Sequence, residues 1–429
     1  MINKSKIFII IVFVLFIVKL ASGQDKDYVM HIVEDLSSEN MHGRGYVKQG
    51  VKKAAKYLAK EMKEIGLLSF EKDYLQDFSY SVNTFPHNTY VAINGKELKS
   101  GYDYMPGPTS PKFKGDYKVI VFDSITYNDT VLFKKKVKEE NPSKKFVVID
   151  YTSIKDRDIR LFYINQMREN PINACGYIEK LPKNLMWSVR GFQNSYPSIK
   201  ISEEAFPENI ETISVNFKPK LINLFKTSNV IGYIPAKNED AEYIVFTAHY
   251  DHLGRIGKEV YIPGAQDNAS GTATVLDLAR HYVKKDSKYN LVFMLFSGEE
   301  VGLYGSMHYV MNPYFELNKI KTVINLDMVG TGDDGITIVN GAAEDYKDLF
   351  NCIDSINAEK NYFEILKARG EAANSDHFPF HMLGVKAIFI YSMGGQTYYH
   401  NPKDKPETLT LTGYNSLFNL IIDFVENYE

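Results

Sequence analysis

The C-terminal half of the chain alternates between near-continuous apolar runs and stretches whose apolar residues recur at helical spacing. Apolar runs at 243–248, 290–297, 322–327 and 385–391 predict strands that are buried on both faces of a sheet. Helices are predicted between or after them, at 268–285, 302–311, 345–360 and 412–427. This alternation predicts an α/β fold with a mixed, largely parallel central sheet covered by helices on both faces.

The N-terminal half carries two other patterns. Tyr28, Ile32 and Leu36 share one helical stripe. A second stripe runs over 51–65 and ends at Gly66, which is predicted to be the C-cap of that helix. From 85 to 225 the chain instead has short apolar runs separated by Gly, Pro and Asp, which are typical of strands. We therefore divide the chain into a helical segment at 24–84, an inserted β-rich domain at 85–225 and an α/β region at 226–429.

Residues 1–23 have the pattern of a secretory signal. Lys4 and Lys6 give a basic start, 7–18 are apolar, and the small residues 21–23 form a cleavage site before Gln24. The apolar run is short for a membrane span. We expect a secreted or periplasmic protein without stable membrane insertion, and an uncleaved anchor is the alternative.

Composition narrows the function classes. The chain has 429 residues, which suits two domains, and 44% hydrophobic with 24% charged residues is typical of a folded globular protein. A net charge of -3 gives no drive toward nucleic acid, so we expect no nucleic-acid partner. Because Cys175 and Cys352 are the only cysteines in the sequence, a thiol-rich zinc site is excluded. Any metal must be held by His and carboxylates.

His and acidic residues follow the predicted strands of the C-terminal half, and one more Asp precedes its first helix. The carboxyl ends of strands in an open α/β sheet converge on one crevice, so these side chains should meet there. Carboxylates at the ends of apolar strands are costly unless they are paired or bind cations. The residues concerned are His249, Asp251, Asp267, Glu299, Glu300, Asp327 and His400.

Two His and several carboxylates suit two Zn²⁺ ions, with one carboxylate bridging a pair about 3.5 to 4 Å apart. Such a pair lowers the pKa of a shared water and polarises a carbonyl, and a further carboxylate stays free as general base. The adjacent Glu299 and Glu300 offer one residue for each task.

Six segments in this half resemble, in order, the motif set of the M28 family of zinc peptidases, which are mostly aminopeptidases. They are 249–251, 264–271, 296–306, 324–330, 375–380 and 399–404. The resemblance implies a zinc exopeptidase fold over the C-terminal half, with the segment 24–84 as the N-terminal part of the same domain. The insert at 85–225 is similar to the protease-associated (PA) domains of some M28 enzymes, on the segments 146–150, 174–178 and 196–199.

The same resemblance implies which residues bind two zinc ions per chain. One ion would be held by His249 and Asp327, and the other by Glu300 and His400. Asp267 would bridge the two ions. The resemblance also implies a cis peptide bond between Asp267 and Asn268.

The resemblance also implies three catalytic roles. Glu299 matches the general base that activates water and then protonates the leaving amine. Asp251 matches a carboxylate that orients the first His ligand and fixes its tautomer. Tyr399 matches a residue that helps to polarise the scissile carbonyl.

The leading hypothesis is an exported di-zinc aminopeptidase that removes N-terminal residues from peptides. A glutaminyl-cyclase-like enzyme with one zinc, a carboxypeptidase and a non-catalytic binding protein are the alternatives. A carboxypeptidase would need a basic pocket, for which Arg255 and Arg369 are the candidates. Of the remaining histidines, His252 is expected to line the rim of the site, and His377 is expected, with Asp376, to support it.

Overall fold

The computed structural model of the protein describes residues 25–182, 184–395 and 398–428. The predicted signal segment therefore lies outside the described residues. Two eight-stranded sheets organise the described part of the chain.

The α-helices and strands are numbered in chain order. The helices are α1 (Lys26–Ser37), α2 (Gly50–Ile65), α3 (Ser124–Tyr127), α4 (Thr130–Glu139), α5 (Arg157–Glu169), α6 (Ser270–Tyr282), α7 (Glu299–Gly302), α8 (Tyr304–Met311), α9 (Lys347–Lys360), α10 (His377–Met382) and α11 (Tyr414–Asn427). The strands are β1 (Leu75–Thr84), β2 (Tyr90–Ile93), β3 (Lys96–Glu97), β4 (Tyr104–Pro106), β5 (Phe113–Ile120), β6 (Lys145–Asp150), β7 (Gly176–Leu181), β8 (Ser198–Ser202), β9 (Thr212–Phe217), β10 (Lys220–Ile234), β11 (Tyr243–His249), β12 (Arg255–Ile256), β13 (Val260–Tyr261), β14 (Asn290–Phe296), β15 (Ile320–Leu326), β16 (Ile336–Val339), β17 (Leu366–Arg369) and β18 (Ala387–Ser392).

The first sheet has the strand order β1-β10-β14-β11-β15-β18-β16-β17. Its centre, β14-β11-β15-β18, is parallel, whereas β10 pairs antiparallel with β14, and β16 pairs antiparallel with β18. Ile244 and Phe246 of β11 pack with α1, α2, α6 and α11 on one face. Val245 packs with α8 and α10 on the other. A mixed, largely parallel sheet with helices on both faces confirms the predicted fold class.

The N-terminal segment belongs to this first sheet. Strand β1 pairs antiparallel with β10 from Leu75 opposite Val230 to Thr84 opposite Lys220. Strand β10 therefore begins before the boundary predicted at 225, and a strand ends the segment that we expected to be helical. Residues 25–84 and 220–428 thus share one sheet.

The intervening residues form the second sheet, with the order β3-β2-β9-β5-β6-β7-β8-β4. Strands β5, β6, β7 and β8 are parallel to one another. Helices α4 and α5, which we did not predict, pack Phe133 and Tyr163 against Val147 and Tyr177. The insert is therefore an α/β unit with helices on one face of its sheet.

Among the described residues, none of the helices combines the length and the apolar character needed to cross a membrane. Cys175 and Cys352 are both free thiols; Cys175 lies in the insert and Cys352 in helix α9.

Candidate metal centre

Three neighbouring parallel strands of the first sheet end at the same edge and present acidic or imidazole side chains there. His249 is the last residue of β11, and Asp327 directly follows β15. Glu299 and Glu300 open α7, which begins three residues after the end of β14. These side chains therefore converge at the carboxyl ends of the strands, as the sequence predicted.

Asp267 lies between two imidazoles. Its Oδ1 is 3.1 Å from Nε2 of His249, and its Oδ2 is 3.1 Å from Nε2 of His400. The side chain is almost fully buried. Each carboxylate oxygen thus faces a different His, which is the arrangement of a bridging ligand.

Each of these imidazoles also faces a second carboxylate. Nε2 of His249 lies 3.4 Å from Asp327 Oδ1, and Nε2 of His400 lies 3.1 Å from Glu300 Oε2. The donor atoms of His249, Asp267 and Asp327 all lie within 4.8 Å of one another. All five residues predicted as metal ligands therefore come together, in two sets that share Asp267.

In the part of the chain that the structure describes, buried polar atoms in these two donor sets lack hydrogen-bond partners, and bound cations would satisfy them. Asp327 Oδ1 and His400 Nε2 are buried and, within the described residues, have no hydrogen-bond partner. Burial lowers the pKa of His400, but Glu300 and Asp267 more than offset this and raise it to about 11. Without a cation the imidazole would have to carry a proton to tolerate these carboxylates. Imidazole and carboxylate ligands without thiolates suit Zn²⁺.

Asp267 is held in place by an unusual start to α6. The peptide bond between Asp267 and Asn268 is cis, as the resemblance implied. The Asn268 side chain donates to the carbonyl of Leu326 at 2.9 Å and accepts from the amide of Gly271 at 2.9 Å. This amide side chain therefore ties the Asp267 turn to the end of β15.

A chain of buried side chains orients Asp327. Ser375 Oγ donates to Asp327 Oδ2 at 2.7 Å and accepts from Asn325 at 2.8 Å, and Asn325 accepts from Thr247 at 2.7 Å. These hydrogen bonds occupy Oδ2 of Asp327 and leave Oδ1 free to bind a metal ion. Thr247 and Asn325 were not singled out from the sequence, although two polar residues within apolar strands were a usable signal.

The insert fixes the second imidazole. His400 Nδ1 is 2.9 Å from the carbonyl oxygen of Trp187, and the amide of Trp187 donates to the carbonyl of His400 at 3.0 Å. Since a carbonyl only accepts, Nδ1 carries the proton and Nε2 is left to bind metal. Asn401 adds a bond to the carbonyl of Leu185 at 2.8 Å.

Asp251 contacts His249 mainly through its backbone. Nδ1 of His249 is 3.2 Å from the carbonyl oxygen of Asp251 and 3.9 Å from its carboxylate. The carboxylate instead accepts from the amide of Glu299 at 3.2 Å. Burial raises the pKa of Asp251 to about 7. The residue predicted to orient the imidazole thus lies beside it, but its carboxylate holds the turn at Glu299.

We expected His252 to line the rim of the site, but it is completely buried. Its Nδ1 is 2.6 Å from Glu300 Oε1, and with Asp267 and Glu300 it forms a second possible donor group. His400 is the better ligand candidate, because its Nε2 is 3.1 Å from both carboxylates. Glu300 therefore gives one oxygen to His252 and turns the other toward the metal centre.

A cleft of about 470 Å³ opens beside the metal centre, and Glu299, Glu300, Tyr399 and His400 line it. Burial and the neighbouring Glu300 raise the pKa of Glu299 well above its usual value. The ring of Tyr399 stacks on His400 with 3.7 Å between centroids. The predicted base and the predicted carbonyl-polarising residue thus share one cavity.

The other side chains singled out from the sequence are not among the residues that line this cleft. Asp376 and His377 are fully buried, and Ser306 donates a hydrogen bond to Asp376. Arg255 is buried beside Glu39, and Arg369 belongs to the edge strand β17. Neither arginine is among the residues that line the cleft.

Residues 229–425 match the family described as Peptidase family M28. The chain is 31% identical over 231 residues to Aminopeptidase YwaD of Bacillus subtilis (strain 168), which covers 52% of this chain and 49% of that protein. It is 30% identical over 190 residues to a probable leucine aminopeptidase of Trichophyton verrucosum, over 40% of this chain and 47% of that protein. The chain spans about half the length of these two relatives.

The fold is similar to that of a solved aminopeptidase from Aneurinibacillus sp. strain AM-1, with a TM-score of 0.66 and 21% identity. That likeness covers 94% of this chain and 93% of the other.

Proposed function

The chain carries a peptidase family M28 domain at residues 229–425, and from this premise we propose that it is a di-zinc aminopeptidase. The observation that carries the proposal is the position of Asp267, whose two oxygens lie 3.1 Å from two different imidazoles. One shared carboxylate between two donor sets is what a two-metal site requires. The similarity to Aminopeptidase YwaD supports the same reaction class.

In this proposal His249 and Asp327 would hold one zinc ion, Glu300 and His400 would hold the other, and Asp267 would be shared by both sets. Zinc ions bound there supply the Lewis acidity that polarises a peptide carbonyl and makes water nucleophilic at neutral pH. The hydrogen bonds to Ser375, His252 and Trp187 keep the ligand atoms aimed at the ions.

Glu299 acts as the general base. Its side chain is partly exposed to the cleft, and its amide donates to the buried carboxylate of Asp251 at 3.2 Å. Glu299 accepts a proton from the attacking water and then delivers it to the leaving amine. Tyr399, stacked on His400 at the edge of the cleft, directs its hydroxyl to the substrate carbonyl in this scheme.

The substrates are peptides with a free N-terminus, and the proposal extends to export through the segment 1–23. No observation on the described residues favours the carboxypeptidase alternative through Arg255 or Arg369, because neither lines the cleft.

The test combines zinc analysis with hydrolysis of leucine p-nitroanilide and its N-acetyl derivative, for wild type and Glu299→Gln. We expect two zinc ions per chain, cleavage of the free-amine substrate alone, and a loss of about 10²- to 10⁴-fold in the variant with its zinc retained. A single zinc ion, with cyclisation of N-terminal Gln and no peptide cleavage, would assign the protein to the cyclase class instead.

A further inference from the structure

We propose that the cleft beside the metal centre binds a carboxylate of the substrate through Arg190 and Lys200. The inference rests on the proposed peptidase function and names its substrate class, short or acidic peptides. Both cations belong to the insert, which thereby contributes to substrate recognition.

The charges that line the cleft are unevenly distributed. Among the described residues that line it, Arg190 and Lys200 are the charged ones apart from Glu299, Glu300 and His400 of the metal centre. In the zinc-loaded protein the carboxylates of Asp267, Glu299, Glu300 and Asp327 would balance two divalent ions. Arg190 and Lys200 therefore leave the rest of the cleft positive, which favours an anionic group of the substrate.

Both cations have donors to spare. Lys200 is half-buried and uses one of its three N–H groups on the carbonyl of Met186, at 3.1 Å. Glu179 lies opposite Lys200 on β7 and interacts with its charge, but forms no ion pair with it within 4.0 Å. Arg190 is exposed and donates to the carbonyl of Val189 at 2.7 Å, and no carboxylate of the described residues lies within 4.0 Å of its guanidinium. A carboxylate can therefore be bound without breaking an existing ion pair of Arg190.

The two cations are also tied to the metal centre. Lys200 holds Met186, and the next residue, Trp187, bonds to both the imidazole and the backbone of His400. The carbonyl of Arg190 accepts from the amide of Asn83 at 2.8 Å, which anchors the other end of the segment. The backbone of the segment 186–190, which carries Arg190 and contacts Lys200, is thus anchored beside His400.

A carboxylate could reach them from two sources. One is the C-terminal carboxylate of a di- or tripeptide, which a cavity of about 470 Å³ has room for. The other is an acidic side chain on the N-terminal residue. Both present the same anion to Arg190 and Lys200, and matched substrates separate them.

The experiment measures kcat and KM of the zinc-loaded protein on Leu-Gly, Leu-Gly amide, glutamate p-nitroanilide and glutamine p-nitroanilide. Wild type is compared with Arg190→Gln and Lys200→Gln. Arg157→Gln and Lys114→Gln are the matched controls, since both residues are exposed on the insert and do not line the cleft.

We expect KM for Leu-Gly to rise about tenfold in each cleft variant, with kcat retained and with KM for the amide changed less than twofold. The wild-type preference for the acid should also shrink at high salt. If glutamate p-nitroanilide, rather than Leu-Gly, shows the preference and loses it in the variants, the site stands and its ligand is the N-terminal side chain. Equal cleavage of acid and neutral partners by wild type, in both pairs, overturns the inference.

Leucine p-nitroanilide, which has no carboxylate, separates this outcome from a failure of the proposed function. If wild type does not cleave it, the peptidase proposal fails. Calorimetric binding of Leu-Gly and its amide to zinc-loaded Glu299→Gln then decides the carboxylate site independently. A tenfold tighter binding of the acid that Arg190→Gln abolishes supports the site, and equal binding of the two overturns it.

Discussion

Arg44 and Asp404 both bind the backbone of the turn that carries Asp267: Arg44 donates to its carbonyls, and Asp404 accepts from its amides. The carboxylate of Asp404 accepts from the amides of Gln266 at 2.8 Å and Asp267 at 3.2 Å. The fully buried guanidinium of Arg44 uses all five of its N–H donors on backbone carbonyls. These belong to Leu36, Tyr250, Pro263, Gly264 and Asp267.

Replacing Arg44 by Lys tests this arrangement. An ammonium has three donors, so at least two buried carbonyls lose their partner, at about 1 to 3 kcal/mol each. We expect the free energy of unfolding of the zinc-free protein to fall by about 2 to 6 kcal/mol in urea titrations. Zinc affinity should fall as well, because the Asp267 turn loosens. Arg157→Lys, on the insert's surface, is the control, and equal stability of both variants would refute the role of Arg44.

The sequence predicts the central strands well for a physical reason. Strands β11, β14, β15 and β18 are covered on both faces, so each must be a continuous apolar run, which is visible without a structure. The resemblance of residues 229–425 to the M28 family and the mixed α/β fold are both confirmed. Strands β16 and β17 have only four residues each and lie toward one edge, where no long apolar run is required.

Strand β1 and the helices of the insert were missed for other reasons. Residues 75–84 mix polar and apolar side chains, and their partner β10 begins more than a hundred residues later. Helix α4 contains the lysines at 134–136, whose charge hides the two buried positions Phe133 and Val137. Tertiary pairing, rather than local pattern, decides these elements.

At the metal centre, the ligands could be predicted but their supports could not. Arg44 bonds to a carbonyl 206 residues away, and no local pattern tells which carbonyls a fold will bury. One signal was present in the glycines beside it. A Cβ on Gly43 would lie 2.5 Å from the carbonyl oxygen of Gly254, and one on Gly45 would lie 2.3 Å from Gly254 Cα. The loop can approach that close only because glycine stands on both sides of Arg44.

A second prediction concerns pH. Burial raises the pKa of Asp404 to about 7, so the folded zinc-free protein keeps a proton that the unfolded chain releases above its ordinary pKa of 3.8. The stabilisation is therefore present at low pH and is lost as pH rises toward 7. We expect the unfolding free energy of Asp404→Asn to depend less on pH between 4 and 7, by at most about 1.4 kcal/mol per pH unit.

The measurement is urea unfolding of the zinc-free protein at several pH values, with Asp73→Asn as an exposed control. In the variant an NH2 group replaces one of the two carboxylate oxygens and faces a backbone N–H, so we expect lower stability throughout. The slope with pH is therefore the quantity compared. Parallel pH curves for wild type and Asp404→Asn would contradict the prediction.

A third prediction separates His252 from His400. If His252 positions Glu300, His252→Ala should weaken one of the two zinc ions by about 10- to 100-fold and leave the other unchanged. His400→Ala should lose that same ion almost completely. Titration with a competing chelator resolves the two affinities. An equal and complete loss in both variants would show that His252 is itself a ligand.

The last prediction concerns Trp187, which joins the insert to the metal centre. Its Nε1 donates to the carbonyl of Pro106 at 3.1 Å, while its backbone carbonyl orients His400. Trp187→Phe keeps the backbone but removes the Nε1 bond and some packing volume, so the segment can shift. We expect zinc affinity at the His400 site and kcat/KM both to fall by about tenfold, because a ligand held less firmly binds less tightly. Phe192→Ala, at an exposed position just beyond the segment 186–190, is the control and should leave both unchanged. If Trp187→Phe lowered only the melting temperature, with zinc binding intact, the tryptophan would stabilise the insert without positioning the imidazole.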